Sequence, residues 1–115
     1  KDFIDKKCLD FVSIDLPWNG LTESLKISNY CELKNYDVTT HNYNGYLGTF
    51  MSANFAAIIP NFYIGEIDID EVNGLDEIFS SSPLLEGRYL QIPDSPGWGC
   101  NLNEKKLKKI FSAKN

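Results

Sequence analysis

Asp15, His41 and Glu66 each stand where an apolar, β-rich run gives out. Leu9-Asp10-Phe11-Val12-Ser13-Ile14 precedes Asp15, Asp37-Val38-Thr39-Thr40 precedes His41, and Phe62-Tyr63-Ile64-Gly65 precedes Glu66. The intervals are 41 − 15 = 26 and 66 − 41 = 25 residues. Each is one strand-helix-strand step, so the three side chains fall at the same end of successive parallel strands, where α/β sheets and barrels gather their ligands. A histidine flanked by two carboxylic acids is a proton-transfer set. Imidazole titrates near neutral pH, and an acid on one ring nitrogen fixes the tautomer, leaving the other nitrogen to take or give a proton. His41 is the sole histidine of the chain, which makes it the centre of any such chemistry. Asp15 is also placed to cap the turn that follows it, and Glu66 also opens an acidic stretch.

The flanking pattern predicts the elements that must hold these residues. Residues 1 to 7 read as the end of a helix, and a strand follows over 9–15. Pro17 and Asn19-Gly20 predict a turn, after which Thr22 caps a helix over 23–34 with Leu25, Ile27, Tyr30, Cys31 and Leu33 as its apolar stripe. A short strand through Val38 leads to His41 and the polar loop 41–45. A helix over 46–59 is apolar nearly all round and should be buried on most sides, with Gly48, Ser52 and Ala53 allowing a neighbour to approach closely. Pro60-Asn61 ends it, and a third strand runs over 62–67. The order βαβαβ implies right-handed crossovers and a parallel sheet.

The remainder differs in character. Residues 66–77 hold six acids, Glu66, Asp68, Asp70, Glu71, Asp76 and Glu77. A calcium loop starting at Asp68 fails, because Val72 stands where an oxygen ligand belongs and Asn73 where the turn glycine belongs. The stretch therefore reads as a solvated loop. An extended piece with a turn at Glu86-Gly87, a second extended piece over 88–93, a loop over 94–99 and a helix over 103–111 complete the chain. So loop-rich a tail is expected to lie over structure that these residues do not supply.

Bulk properties narrow the function classes. The 115 residues suffice for one domain and fall short of the roughly 250 of a closed eight-stranded α/β barrel. A net charge of −5 gives no footprint for nucleic acid, and Lys105, Lys106, Lys108 and Lys109 read as a solvated helix face. No apolar run approaches the roughly 20 residues that span a bilayer, so no membrane role is expected. Cys8, Cys31 and Cys100 are odd in number and scattered, which argues against a zinc site or a disulfide framework and for a cytoplasmic compartment. A first residue other than Met implies a processed chain or a piece of a longer one.

Gly20-Leu21-Thr22-Glu23 opening a helix, His41-Asn42 at a strand end, Ile59-Pro60-Asn61-Phe62 before the strand that carries Glu66, and Ile92-Pro93-Asp94-Ser95-Pro96-Gly97-Trp98-Gly99 occur in this order along nearly the whole chain. Together they resemble the mandelate racemase and muconate lactonizing branch of the enolase superfamily. Asn42, the spacing from His41 to Glu66, and Glu66-Ile67-Asp68-Ile69-Asp70 look most like its sugar-acid dehydratases. One departure is Asn19-Gly20, which replaces a glycine pair, in a segment one residue shorter than the family's; it bears on how Asp15 is placed against His41.

The resemblance implies an α/β fold: the C-terminal part, about three βα units, of a (β/α)7β TIM-like barrel. Residues 1–67 would hold barrel strands six to eight, and residues 68–115 would return to pack on a capping domain. The capping domain and strands one to five would be the chain's partners, and the enzyme is expected to form homo-oligomers. Mg²⁺ would be the cofactor, with its ligands upstream and none in this chain. His41 would act as base or acid at the carbon next to a carboxylate, Asp15 would orient it, and Glu66 would donate a hydrogen bond to the developing enediolate. Asn42, Tyr43 and Trp18 would line the pocket for a sugar acid, each being open equally to simple packing. Loss of the β-hydroxyl would give a 2-keto-3-deoxy acid. Racemase or cycloisomerase chemistry, or a non-catalytic piece that completes a barrel, are the alternatives.

Overall fold

Val12 and Ile14, and then Val38, Thr39 and Thr40, are β-branched residues that favour extended backbone, and both stretches are strands. A computed structural model describes residues 1–70 and 74–112. Helix α1 (Asp2–Asp5) precedes β1 (Phe11–Asp15), and α2 (Leu16–Leu33) leads to β2 (Asp37–His41). Helix α3 (Gly45–Ile58) then crosses to β3 (Phe62–Gly65). The three strands form a parallel sheet in the order β1-β2-β3, as the βαβαβ pattern requires. Beyond it come α4 (Leu75–Ile78), the antiparallel pair β4 (Leu85–Glu86) and β5 (Tyr89–Leu90), and α5 (Glu104–Ser112).

Ile14 and Val38 bury against Leu16, Cys31, Phe55 and Ile59, with Ile4 and Tyr36 closing the cluster. Both long helices therefore cover one face of the sheet. The other face is left open: Phe11 is half exposed, and every residue of β3 is exposed. The helix over α3 is likewise buried through Phe50, Ser52, Ala53 and Phe55 while Ile58 faces out. The radius of gyration is 16.2 Å, above the roughly 13 Å of a compact domain near this size.

Two local outcomes differ from the sequence pattern. The turn expected around Pro17 is one helical turn directly after β1. Asp15 caps it and Pro17 sits in its first turn, where its missing N–H costs nothing. Gly20, at φ 73° and ψ 161°, then breaks the helix in a conformation closed to other residues. The C-terminal stretch also packs on itself more than its loop-rich composition implied. Phe79 bridges Leu102, the Ser80 N–H donates to the Asn101 carbonyl at 2.8 Å, and Lys106 pairs with Glu77. That pairing holds the Glu77 carboxyl below its usual range. Lys105, Lys106, Lys108 and Lys109 are exposed, as a solvated helix face should be.

Asn61 joins the two crossovers. Its Oδ1 accepts from Ser28 Oγ at 2.8 Å, its amide donates to the Ser28 and Tyr36 carbonyls, and its own carbonyl accepts from the Val38 N–H. Asn61→Ala would leave the fully buried Ser28 hydroxyl and the Tyr36 carbonyl unpaired, an expected loss of about 1–3 kcal/mol in urea denaturation. A second junction ties α1 to α2. The Tyr30 hydroxyl donates to Asp5, and Lys34 lies 3.0 Å from the same carboxylate. The Tyr30 hydroxyl, with Lys34 second, holds the Asp5 carboxyl below its usual range, while Asp5 pushes both the Tyr30 phenol and the Lys34 ammonium up. The Asp5 contribution is thus present above the ordinary aspartate value and lost on acidification. The Tyr30 and Lys34 contributions are present below the ordinary values near about 10 and lost at higher pH. Tyr30→Phe should return the Asp5 titration, followed by carboxyl NMR shifts, toward the ordinary value.

Candidate active site

Strand register sets the level of the three acid-base residues. Asp15 lies beside His41 across β1 and β2, and Thr40 lies beside Gly65 across β2 and β3. The Glu66 N–H extends the ladder by donating to the Thr40 carbonyl at 3.0 Å. Asp15, His41 and Glu66 consequently stand in one row at the carboxyl edge of the sheet.

His41 Nδ1 is 2.9 Å from Asp15 Oδ2, and His41 Nε2 is 3.9 Å from Glu66 Oε2. A carboxylate can only accept, so Nδ1–H donates to Asp15, and in the neutral ring Nε2 presents its lone pair on the side of Glu66. The His41 side chain is 51% exposed and that of Asp15 16%, so the ring reaches solvent more freely than its anchor. Asp15 serves both uses open to it. Its Oδ1 accepts from the Trp18 N–H at 3.1 Å and caps α2, and its Oδ2 takes the imidazole. The shortened Asn19-Gly20 segment does not part the pair.

The loop after His41 connects the two flanking acids. The Asn42 N–H donates to Glu66 Oε2 at 2.9 Å, and the Asn44 amide is 3.5 Å from Asp15 Oδ2. Asn42, expected to line the pocket, is instead 1% exposed, and its side chain turns into α3, where Nδ2 donates to Thr49 Oγ1 at 2.8 Å. The physical reason lies at Gly48. A Cβ there would meet Asn44 Cβ at 2.5 Å and Asn42 Oδ1 at 2.6 Å, so the close neighbour that a small residue admits is the chain's own loop. Tyr43 and Trp18 are exposed and join Asp15, His41 and Asn44 around a cleft of about 450 Å³. Glu66 faces an adjoining groove of about 540 Å³ bounded by α3, β3 and the β4–β5 pair.

Part of the acidic stretch is not simply solvated. Glu66, Asp68 and Asp70 all reach the loop after β2: Asp68 Oδ2 accepts from the Gly45 N–H at 2.9 Å, and Asp70 Oδ2 from the Tyr43 hydroxyl at 2.7 Å. Asp70 pushes the Tyr43 phenol up. Alternate residues of an extended run point the same way. The spacing of two between Glu66, Asp68 and Asp70, with Ile67 and Ile69 between them, was the sequence signal for this contact. Residues 71–73, including Glu71, Val72 and Asn73, lie outside the described residues.

Among the described residues no three of His, Cys, Asp or Glu gather so as to hold a metal ion. Asp15 and Glu66 are turned to the imidazole and to N–H donors, so the carboxylates of the row do not fit a magnesium site. No helix among the described residues is long and apolar enough to cross a membrane.

Parallel strands with an acid-histidine-acid row at their carboxyl edge define a class of α/β chain whose chemistry lies at strand ends. The chain belongs to the enolase C-terminal domain-like family, whose model matches residues 1–106. Its α/β fold is that of part of a TIM-like barrel. Among curated relatives, the D-xylonate dehydratase of Haloferax volcanii is 27% identical over 104 residues, covering 90% of this chain and 25% of that protein. The D-galactonate dehydratase family member RspA of Pantoea ananatis is 28% identical over 107 residues, with 90% and 25% covered. The chain thus spans about a quarter of the length of these relatives. Among solved structures, one from Burkholderia xenovorans, described as an L-alanine-DL-glutamate epimerase, is 38% identical with a TM-score of 0.88, covering 93% of this chain and 27% of that one. A second structure of that description holds magnesium and fumarate. An enolase from Pantoea ananatis with bound D-gluconate and magnesium is 27% identical with a TM-score of 0.82, and 94% and 26% are covered.

Gly48→Ala should force the 42–44 loop off α3 and cost about 1–3 kcal/mol in urea denaturation, the range for overpacking a tight contact. An unchanged midpoint would mean that the loop accommodates a methyl group freely.

Proposed function

We propose that this chain supplies the proton-transfer edge of an enzyme acting on the carbon next to the carboxylate of a sugar acid. The observation that carries the reading is the row itself, with Nδ1 of His41 bonded to Asp15 and Nε2 open on the side of Glu66. His41 takes the α-proton at Nε2, Asp15 holds the ring and steadies the imidazolium that forms, and Glu66 in its protonated form donates to the carboxylate of the substrate. Trp18 and Tyr43 shape the rim of the cleft. The β-hydroxyl then leaves as water with the proton returned by the His41 imidazolium, and the enol so formed tautomerises to a 2-keto-3-deoxy acid. The dehydratase relatives and the gluconate-bound structure support this substrate class.

Residues 1–67 form barrel strands six to eight with their helices, and 68–115 run back over a capping domain. Support comes from the open sheet face, which needs the remaining strands to cover it, and from the quarter-length match to relatives. That remainder holds the carboxylates for Mg²⁺, the ion seen in the solved relatives. The free cysteines fit a cytoplasmic enzyme, and assembly into homo-oligomers goes with the same reading. Epimerisation is the second reading, favoured by the 38% identity to the Burkholderia xenovorans structure.

The two part in D2O. With sugar acids such as xylonate, galactonate and gluconate, the intact enzyme should form 2-keto product. Exchange of the α-hydrogen without loss of water would remove the dehydratase reading and leave the epimerase one. His41→Asn should lower α-hydrogen exchange by about 10²–10⁴-fold, the usual share of a general base.

A further inference from the structure

We infer that Asp68 is a positioning residue for the His41 site, acting through the N-terminus of α3. This rests on the reading of His41 as the proton-transfer group. Helix α3 has Asn44 at its N-cap position, yet no side chain there caps it. Asp68, 23 residues beyond Gly45, caps the helix instead by accepting from the Gly45 N–H at 2.9 Å. A carboxylate at a helix N-terminus satisfies an orphan donor and meets the positive end of the helix dipole. Its other oxygen, Oδ1, accepts from the Asp70 N–H at 3.1 Å, which steadies the carboxylate itself.

With the first N–H of α3 held by Asp68, the preceding residue is placed so that its Asn44 amide reaches Asp15 Oδ2, 3.5 Å away. One residue group further back, the Asn42 N–H holds Glu66 Oε2 at 2.9 Å. The loop 42–45 therefore touches both acids that flank His41, and Asp68 pins its far end. Glu66 and Asp68 cross-link the segment after β3 to the loop after β2 at two backbone N–H groups three residues apart. These two bonds hold the loop's backbone at both ends, while the Asn42 amide on Thr49 and the Tyr43 hydroxyl on Asp70 hold its side chains. Asp68 touches none of the reacting atoms, and its effect passes entirely through the loop.

The test uses the intact enzyme and two measurements: deuterium exchange of the backbone in peptides covering 42–47, read by mass spectrometry, and the kcat and KM for α-hydrogen exchange. Asp68→Ala should speed exchange in that segment and lower kcat, each by about tenfold, with KM changed by less than about threefold, the scale of one lost hydrogen bond to a charged acceptor. Asp68→Asn keeps one acceptor oxygen of the two and should open the loop by only about threefold. Unchanged exchange over 42–47 in Asp68→Ala would overturn the inference, as would a loosened loop with undiminished kcat. If Asp68→Ala does not fold, Asp68→Asn decides: a rise confined to 42–47 supports the role, and none overturns it. The loop measurement is independent of turnover. An enzyme inactive on every sugar acid would end the functional reading and still report whether Asp68 holds the loop.

Discussion

Everything at the carboxyl edge of this sheet depends on the register between β1 and β2. Because Asp15 and His41 are paired positions in a parallel ladder, their side chains leave adjacent backbones at one level, and a hydrogen bond between them needs no long reach. A slip by one residue would turn one of the pair to the opposite face of the sheet. Register is held in turn by burial of Ile14 and Val38 beneath the helices, so the apolar core and the polar row are set by the same constraint.

The irregular parts of the fold serve that row. β3 joins β2 with an irregularity between Val38 and Thr39, after which Gly65 lies beside Thr40 and Glu66 follows at the level of His41. Gly20 breaks the helix after Asp15 has capped its first turn, so one carboxylate ends a strand, starts a helix and orients an imidazole. Gly48 lets the 42–44 loop lie flat on α3, which is what turns the Asn42 side chain inward and its N–H outward to Glu66. This short-range geometry sits in a chain that buries Phe50 and packs Phe55 in the core beneath the sheet.

A protein so arranged is asymmetric. One face of its sheet is packed under two helices, while the other exposes Phe11 and Ile64, and β1 and β3 are the edge strands of the described sheet. Exposed apolar strand surface is a liability for a free-standing domain and a natural joining surface for one that continues into further strands. The open face and the carboxyl-edge site are compatible for a physical reason. In a barrel the uncovered face turns inward, and the strand ends frame a common mouth.

The alternation of strands and helices through β3, the parallel sheet, and the placing of Asp15, His41 and Glu66 one crossover apart were determined by the sequence alone, since apolar stripes and turn residues are local in their physics. The hand of the crossovers follows from chirality and needs no coordinates. Tertiary structure decided what spacing cannot express. It placed Asn42 in the interior, gave Asp68 rather than Asn44 the cap of α3, and gave both oxygens of Asp15 separate partners. Each of these turns on which donor lies within hydrogen-bond reach of which acceptor. That distance is set by how a loop settles on a helix far from it in sequence, and no local preference encodes it.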